Sequence, residues 1–136
     1  MLVLSVLIRA IRKNFPMSRP ARSVFVFGLY LVVVGLALLV SPNPLFAVLH
    51  LPASHEIWPR VVGVLALVLA HYYVQAARHE VVAFFRWTVS ARIMVFVVFS
   101  VFVLLGLAPV PLALLGAVDL AAALWTAWAL RPSPVR

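Results

Sequence analysis

The chain has 136 residues, of which 66% are hydrophobic and 10% are charged. An ordinary soluble domain carries roughly 25% charged residues, so this composition excludes a water-soluble protein and predicts an integral membrane protein. The length suits one compact unit. The net charge of +8 comes from basic residues that flank apolar stretches, which predicts contact with anionic lipid headgroups and not with nucleic acid. No cysteine is present, so disulfides and thiolate chemistry are excluded.

The first twenty residues form a basic N-terminal segment (1–20). On a helix, Leu4, Leu7, Ile8, Ile11 and Phe15 fall on one side. The opposite side carries three cations, namely Arg9, Arg12 and Lys13. This pattern predicts a short amphipathic helix on the membrane surface, with a frayed tail as the alternative. The charges follow the apolar run and no small-residue cleavage site is present, so a secretory signal peptide is not expected.

Four uncharged or nearly uncharged runs are long enough to cross a bilayer as helices. They predict an all-α four-helix membrane bundle with spans at about 23–41, 61–77, 93–107 and 112–130. The short Pro-containing connection 108–111 makes spans three and four antiparallel neighbours. The residues between Arg78 and Arg92 are too apolar for a solvated loop and too charged for a span, so they predict an interfacial turn leading into the third helix.

Small residues mark two faces along which these helices can pack. Gly28 and Gly35 lie seven apart in the first span, where they either allow close approach of another helix or are ordinary membrane-helix glycines. In the fourth span, one narrow face of small and polar residues is formed by Gly116, Asp119, Ala123 and Thr126.

Two ionisable residues stand inside spans, His71 in the second and Asp119 in the fourth. A carboxylate at that depth costs at least about 2.5 to 3.5 kcal/mol on insertion scales, so Asp119 should be paired or protonated. If it is paired, Arg60 and His71 are the competing partners. His71 could also be a hydrogen-bonded structural residue. The predicted internal polar cluster or ligand-binding site comprises Arg60, His71, Tyr72, Gln75, Asp119 and Thr126.

No catalytic residue, cofactor or metal site is predicted. His50 and His55 are five apart in a proline-flanked loop with only Glu56 nearby, which makes a poor metal site. No phosphate-binding glycine loop or nucleophile elbow is present.

Orientation follows from the basic residues. If the N-terminus is inside, ten of the eleven lysines and arginines lie on the inner side and only Arg60 lies outside. The positive-inside rule therefore predicts that both termini are cytoplasmic. The residues predicted to contact headgroups and fix the topology are Arg9, Arg12, Lys13, Arg78, Arg86, Trp87, Arg92 and Arg131.

Three motifs carry a resemblance to a known family. They read E-I-W-P-R-V-V-G, H-Y-Y-V-Q-A-A-R and F-F-R-W-T-V-S-A-R, starting at Glu56, His71 and Phe84. In these the chain resembles small uncharacterised bacterial four-helix membrane proteins grouped as DoxX-like. The resemblance covers spans two to four and implies a multi-pass protein of the bacterial inner (plasma) membrane. It assigns no catalytic residue.

Three classes of function remain open. The first is a non-enzymatic membrane protein that is a subunit of a membrane complex, or that binds a lipid or small apolar molecule within the bundle. The second is a membrane enzyme, associated with isomerase or oxidoreductase chemistry, that uses Asp119 and His71; a single intramembrane acid argues against it. The third is an oligomeric transporter or channel. The partners expected are the lipid bilayer and another membrane protein or a second copy of the chain. The first class is favoured.

Overall fold

The fold is described from a computed structural model, which covers residues 2, 3, 5, 6, 9 and 16–132. Over this part of the chain the regular elements are all helical. The five helices are α1 (Arg19–Val40), α2 (Pro42–Val48), α3 (Trp58–Arg78), α4 (Val82–Leu104) and α5 (Pro111–Ala129). The amphipathic helix predicted within residues 1–20 falls mostly outside the described residues and stays a prediction.

Four of these helices can cross a membrane, as the sequence predicts. They are α1, α3, α4 and α5, which contain 19 to 23 residues each. At 1.5 Å per residue their lengths are about 28 to 35 Å, which matches a hydrocarbon core about 30 Å thick. The short helix α2 lies in the predicted proline-rich connection between the first two spans.

Proline in the first turn starts four of the five helices, namely α1, α2, α3 and α5. This position tolerates proline because its missing N–H would have no partner within the helix. The exception is α4, which begins at Val82. The interfacial turn predicted between Arg78 and Arg92 is therefore wrong over 82–91, because these residues form the first turns of α4. The sequence shows no helix-breaking residue between Val82 and Arg92, so a continuous helix is favoured despite its charges.

The helices are arranged around α1. Helix α3 packs along α1, while α4 and α5 form the antiparallel pair that the short connection predicts. Helix α1 also packs against α5 and, more briefly, against α4. Although α3 and α4 follow one another in the chain, they make few contacts among the described residues. The backbones of the four spans thus form a ring that is open between α3 and α4, where the side chains of Tyr73, Phe84 and Thr88 meet across the gap.

Glycines allow the close packing of α1 on α3. A Cβ atom on Gly35 would lie 2.8 Å from Leu67 Cγ and 3.0 Å from the backbone oxygen of Gly63. One on Gly63 would lie 2.7 Å from the backbone nitrogen of Leu39, and one on Gly28 would lie 3.1 Å from Tyr73 Cβ. The prediction that Gly28 and Gly35 share a packing face is confirmed.

The face of small and polar residues on α5 also packs as predicted. Gly116, Ala123 and Thr126 are its buried residues, and a Cβ atom on Gly116 would lie 3.2 Å from Phe96 Cα on α4. The register of α5 against α4 and α1 therefore brings Asp119, on the same face, towards the interior of the bundle.

Candidate functional site: a buried arginine and a lateral groove

The largest fully buried side chain of the described residues belongs to Arg92, which is 1% exposed. It shares one face of α4 with Phe85 and Thr88, the only other buried residues of that helix. The spacing of these three residues, i, i+3 and i+7, is that of a single helical stripe. The prediction that Arg92 contacts lipid headgroups is therefore wrong, because its side chain turns inwards. Arg86 and Trp87, on other faces of α4, are exposed.

All four spans contribute to the environment of Arg92. Its Nε donates to Thr88 Oγ1 at 3.2 Å and its Nη1 donates to Thr126 Oγ1 at 3.2 Å. The guanidinium carbon lies 4.4 Å from the ring centroid of Phe27 and 5.4 Å from that of Tyr73. Aromatic faces and hydroxyl oxygens thus surround a cation that has no direct carboxylate partner in the part of the chain that the structure describes.

Hydroxyl groups connect these side chains to one another. Ser23 Oγ lies 2.8 Å from Thr126 Oγ1, and the phenol of Tyr73 is hydrogen-bonded to Thr88 Oγ1. The hydroxyls of Ser23 and Thr126 are also placed to donate to carbonyls of their own helices, those of Pro20 and Ala122. Each hydroxyl has one proton. The hydroxyl that donates to the other helix therefore cannot also donate to the carbonyl of its own helix.

One charged group lies deeper along the same interface. Asp119 is partly buried on α5, and it interacts electrostatically with Arg92 and with Tyr30 of α1. It makes no direct ion pair among the described residues. The sequence predicts Arg60 or His71 as the partner of this carboxylate. In the structure it interacts with Arg92 instead, on a helix that packs against its own.

One end of the bundle carries most of the exposed cations of the described residues, and we call it the basic end: Arg19, Arg22, Arg78, Arg86 and Arg131. Here Glu80 Oε1 accepts from the backbone N–H of Ser18 at 2.7 Å, and its Oε2 accepts from Ser18 Oγ at 2.6 Å. The guanidinium of Arg19 lies 5.0 Å from the ring centroid of Trp128. These contacts join the start of α1 to the α3–α4 turn and to the end of α5.

A groove lies where the ring of helices is open. It has a volume of about 730 Å³ and is open to the outside. Its wall on α3 carries hydrogen-bonding side chains, and its wall near the start of α4 is apolar. The lining residues are His71, Tyr72, Gln75, Ala76, His79, Val81 and Phe84. From His79 to His71 is eight residues, or about 12 Å along α3, so the groove extends from the basic end towards the middle of the span.

The structure divides the predicted polar cluster into separate places. His71, Tyr72 and Gln75 line the groove, with the rings of His71 and Tyr72 in edge contact. Thr126 belongs to the Arg92 network, and Asp119 lies beside it. Arg60 stands near the start of α3, at the end of that helix opposite the basic end. A ligand-binding role for these residues stays a prediction.

Sequence reasoning missed Tyr73 and Thr88 as neighbours of a buried cation, and Ser23 as the residue that bonds to its acceptor Thr126. The signal that could have found them is the stripe of Phe85, Thr88 and Arg92, which places a threonine one turn before the arginine.

Comparison with known proteins adds no relative to this picture. No family model, curated protein or solved structure matches the chain. The resemblance to DoxX-like proteins therefore stays a prediction, and function is argued from the geometry.

Proposed function

We propose that this chain is a non-enzymatic integral membrane protein that binds a lipid or a similar amphiphile in the groove between α3 and α4. The observation that carries the proposal is the open ring of helices. Helix α3 packs along α1, and the groove occupies the side on which α3 lacks a close neighbour. If the four long helices cross a bilayer, this groove opens sideways into lipid.

The size and chemistry of the groove support an amphiphile. Its volume of about 730 Å³ lies within the 300 to 1,000 Å³ typical of small-molecule sites. Gln75 and His79 offer hydrogen bonds near the basic end, whereas Val81 and Phe84 offer an apolar wall. A ligand with a polar headgroup and an apolar body matches this division.

The charge distribution favours an anionic headgroup. The arginines of the basic end and the indole of Trp87 are exposed, as is usual where helices leave a membrane. Positive residues near a bilayer surface attract anionic lipids by about 1 kcal/mol each. We extend the proposal to a bacterial inner membrane, on the resemblance to DoxX-like proteins. We also propose that both termini are cytoplasmic, because the sequence predicts nine basic residues outside the spans on the side of the N-terminus against Arg60 on the other.

The enzymatic alternative receives less support from the geometry. It needs Asp119 and His71 to act together, but His71 lies in the groove beside Tyr72. Asp119 instead interacts with Arg92 and Tyr30 on other helices. An acid and a base must lie within hydrogen-bond reach of one substrate to share a proton transfer.

The test is to purify the protein in a mild detergent and to identify retained lipids by mass spectrometry. A Gln75→Trp variant places a large ring in the groove, and we expect it to lose the retained amphiphile. Leu65→Trp is the matched control, because Leu65 is 62% exposed on α3 and does not line the groove. Equal lipid retention by the wild type and both variants would contradict the proposal.

A further inference from the structure

His79 lies at the end of the groove next to the basic end, where one of its ring nitrogens is fixed by the helix before it. The residue caps the C-terminus of α3 and is exposed. Its Nδ1 atom lies 3.1 Å from the carbonyl oxygen of Gln75, which also accepts the backbone N–H of His79 at 3.0 Å. A carbonyl oxygen is an acceptor without a proton to donate, so Nδ1 must carry a proton.

The other ring nitrogen, Nε2, is left for a ligand. In a neutral imidazole only one nitrogen carries a proton, so Nε2 has a lone pair and accepts hydrogen bonds. It makes no hydrogen bond within the described part of the chain. The neighbouring carboxylate of Glu80 accepts from Ser18 and does not line the groove. At this end of the groove His79 therefore offers a ligand an acceptor and not a donor.

We propose that the groove binds a lipid whose anionic headgroup carries a hydroxyl, and that this hydroxyl donates to His79 Nε2. The inference rests on the proposed lipid groove and names the chemistry of its ligand. The exposed arginines of the basic end attract a negative charge, which many kinds of lipid carry. The acceptor at His79 adds the requirement for a donor, which a phosphate diester with a purely alkyl headgroup does not meet.

The order of polar groups along α3 matches their order along such a lipid. Gln75 also lines the groove, and it lies four residues before His79, or about 6 Å deeper in the span. In a phosphatidylglycerol the glycerol hydroxyls are the outermost polar groups, and the phosphate and the acyl esters follow towards the chains. With a hydroxyl at His79, the carboxamide of Gln75 lies at the depth of the phosphate or the esters, to which its N–H groups can donate.

The experiment compares two probe lipids that have the same acyl chains and the same single negative charge. Phosphatidylglycerol carries hydroxyls on its headgroup, whereas phosphatidylethanol carries none. The full chain in mild detergent is mixed with equal amounts of both at about pH 8, where an imidazole is neutral, and bound lipid is counted by native mass spectrometry. We expect the wild type to retain about two to ten times more phosphatidylglycerol, the ratio that one net hydrogen bond gives.

Substitutions at His79 separate the acceptor from the shape of the ring. His79→Phe keeps a ring without the acceptor and should retain both lipids equally. His79→Gln places a carboxamide oxygen near the position of Nε2 and should keep a preference for phosphatidylglycerol. His55→Phe is the matched control, because His55 is exposed in the connection before α3, at the opposite end of the bundle. It should show the same preference as the wild type.

Two results would overturn the proposal, namely equal retention of the two lipids by the wild type and an unchanged preference in His79→Phe. Failure of the groove itself gives a different result. Gln75→Trp would then retain as much of both lipids as the wild type, which would contradict the proposed function and this inference together. If Gln75→Trp loses both lipids while the wild type retains them equally, the lipid groove stands and only the hydroxyl contact at His79 is rejected.

Discussion

The side-chain oxygens of Ser23 and Thr126 lie 2.8 Å apart across the interface between α1 and α5. Thr126 Oγ1 also accepts from Arg92 Nη1, so this contact joins three of the four spans at one point. The two hydroxyls differ in the hydrogen bonds that they make. Loss of the Ser23 hydroxyl removes one bond between helices, whereas loss of the Thr126 hydroxyl also deprives a buried cation of an acceptor.

The first prediction compares these two hydroxyls. We expect Ser23→Ala to lower the free energy of unfolding by about 0.6 kcal/mol, the average for hydrogen bonds between membrane helices. Thr126→Val should lower it by about 1 to 3 kcal/mol, because a buried charged donor is left unsatisfied. Reversible unfolding in mixed detergent micelles measures both changes.

The matched control for Ser23→Ala is Ser90→Ala. Ser90 Oγ donates to the carbonyl three residues earlier at 2.8 Å, as Ser23 Oγ does, but Ser90 is exposed. Its replacement should leave stability nearly unchanged. A Ser90→Ala loss equal to that of Ser23→Ala would show that only the bond within the helix matters.

The second prediction concerns the packing of α1 on α3. A methyl group at Gly63 would meet backbone atoms of Leu39 and Gly35 at 2.7 and 2.8 Å, and backbone cannot move aside locally. A methyl group at Gly28 would meet side-chain atoms at 3.1 and 3.2 Å, which can shift by a few tenths of an ångström. Overpacking costs about 1 to 3 kcal/mol. We expect Gly63→Ala to lie at the upper end of that range and Gly28→Ala near the lower end.

Thermal stability of the two variants in one detergent decides this ranking. Gly35→Leu should be more disruptive than either, because even a Cβ atom there would be 2.8 Å from Leu67 Cγ. If Gly63→Ala were no less stable than Gly28→Ala, the close approach of α1 and α3 at Gly63 would be wrong.

The third prediction concerns Glu80, which accepts two hydrogen bonds from Ser18. Its φ angle is +52°, a left-handed conformation that costs an L-residue about 1 to 2 kcal/mol. Glu80→Ala loses the bonds and keeps the strained backbone, so we expect it to be destabilised by about 1 kcal/mol. Glu80→Gly relieves the strain and should lose less. Chemical unfolding of both variants measures the difference.

His50 supplies the control for the effect of strain. It also has a φ of +52°, but it lies at the other end of the chain's membrane spans. His50→Gly should therefore have the strain relief of Glu80→Gly without the loss of an acceptor, and be the more stable of the two. Equal stability of Glu80→Ala and Glu80→Gly would contradict the role given to the backbone.

The fourth prediction is the orientation in the membrane. Of the eleven basic residues, the sequence predicts nine outside the spans on the side of the N-terminus and Arg60 alone on the other, while Arg92 is buried in the bundle. Activity reporters fused after Arg136 should act in the cytoplasm, and reporters inserted in the 49–56 connection should act on the opposite side. The reverse pattern would contradict the orientation that the positive-inside rule predicts.

Much of the fold follows from the sequence because a helix that crosses a bilayer must be a long run of mostly apolar residues. Apolar runs give the four spans, and the short connection 108–111 gives the pairing of α4 and α5. Helix α4 begins before the uncharged run from which the third span was predicted. This is possible because a buried arginine with hydroxyl and aromatic neighbours is compatible with a membrane helix. The apolar content of residues 82–91 did not reveal that Arg92 would turn inwards.

The partner of Asp119 could not be read from the sequence for a different reason. Depth along the spans can be counted in residues, and depth alone makes Arg60 and His71 reasonable partners. Which helices are neighbours depends on packing, and α5 packs against α4 and α1 instead of along α3. The electrostatic interaction of Asp119 with Arg92 and Tyr30 follows from that arrangement.

The central position of α1 has a consequence for how the protein is made. Helix α1 is synthesised before the other spans, and it packs against each of α3, α4 and α5. The contacts between α1 and α3, which include the close approaches at the glycines and the ring contact of Phe27 with Tyr73, involve no residue that is synthesised later. Arg92 enters the membrane with α4 before Thr126 has been synthesised, so its Nη1 acquires its acceptor only when the last span inserts. A ribosome-bound chain that ends before Thr126 should therefore hold the α1–α3 pair while α4 remains loosely associated.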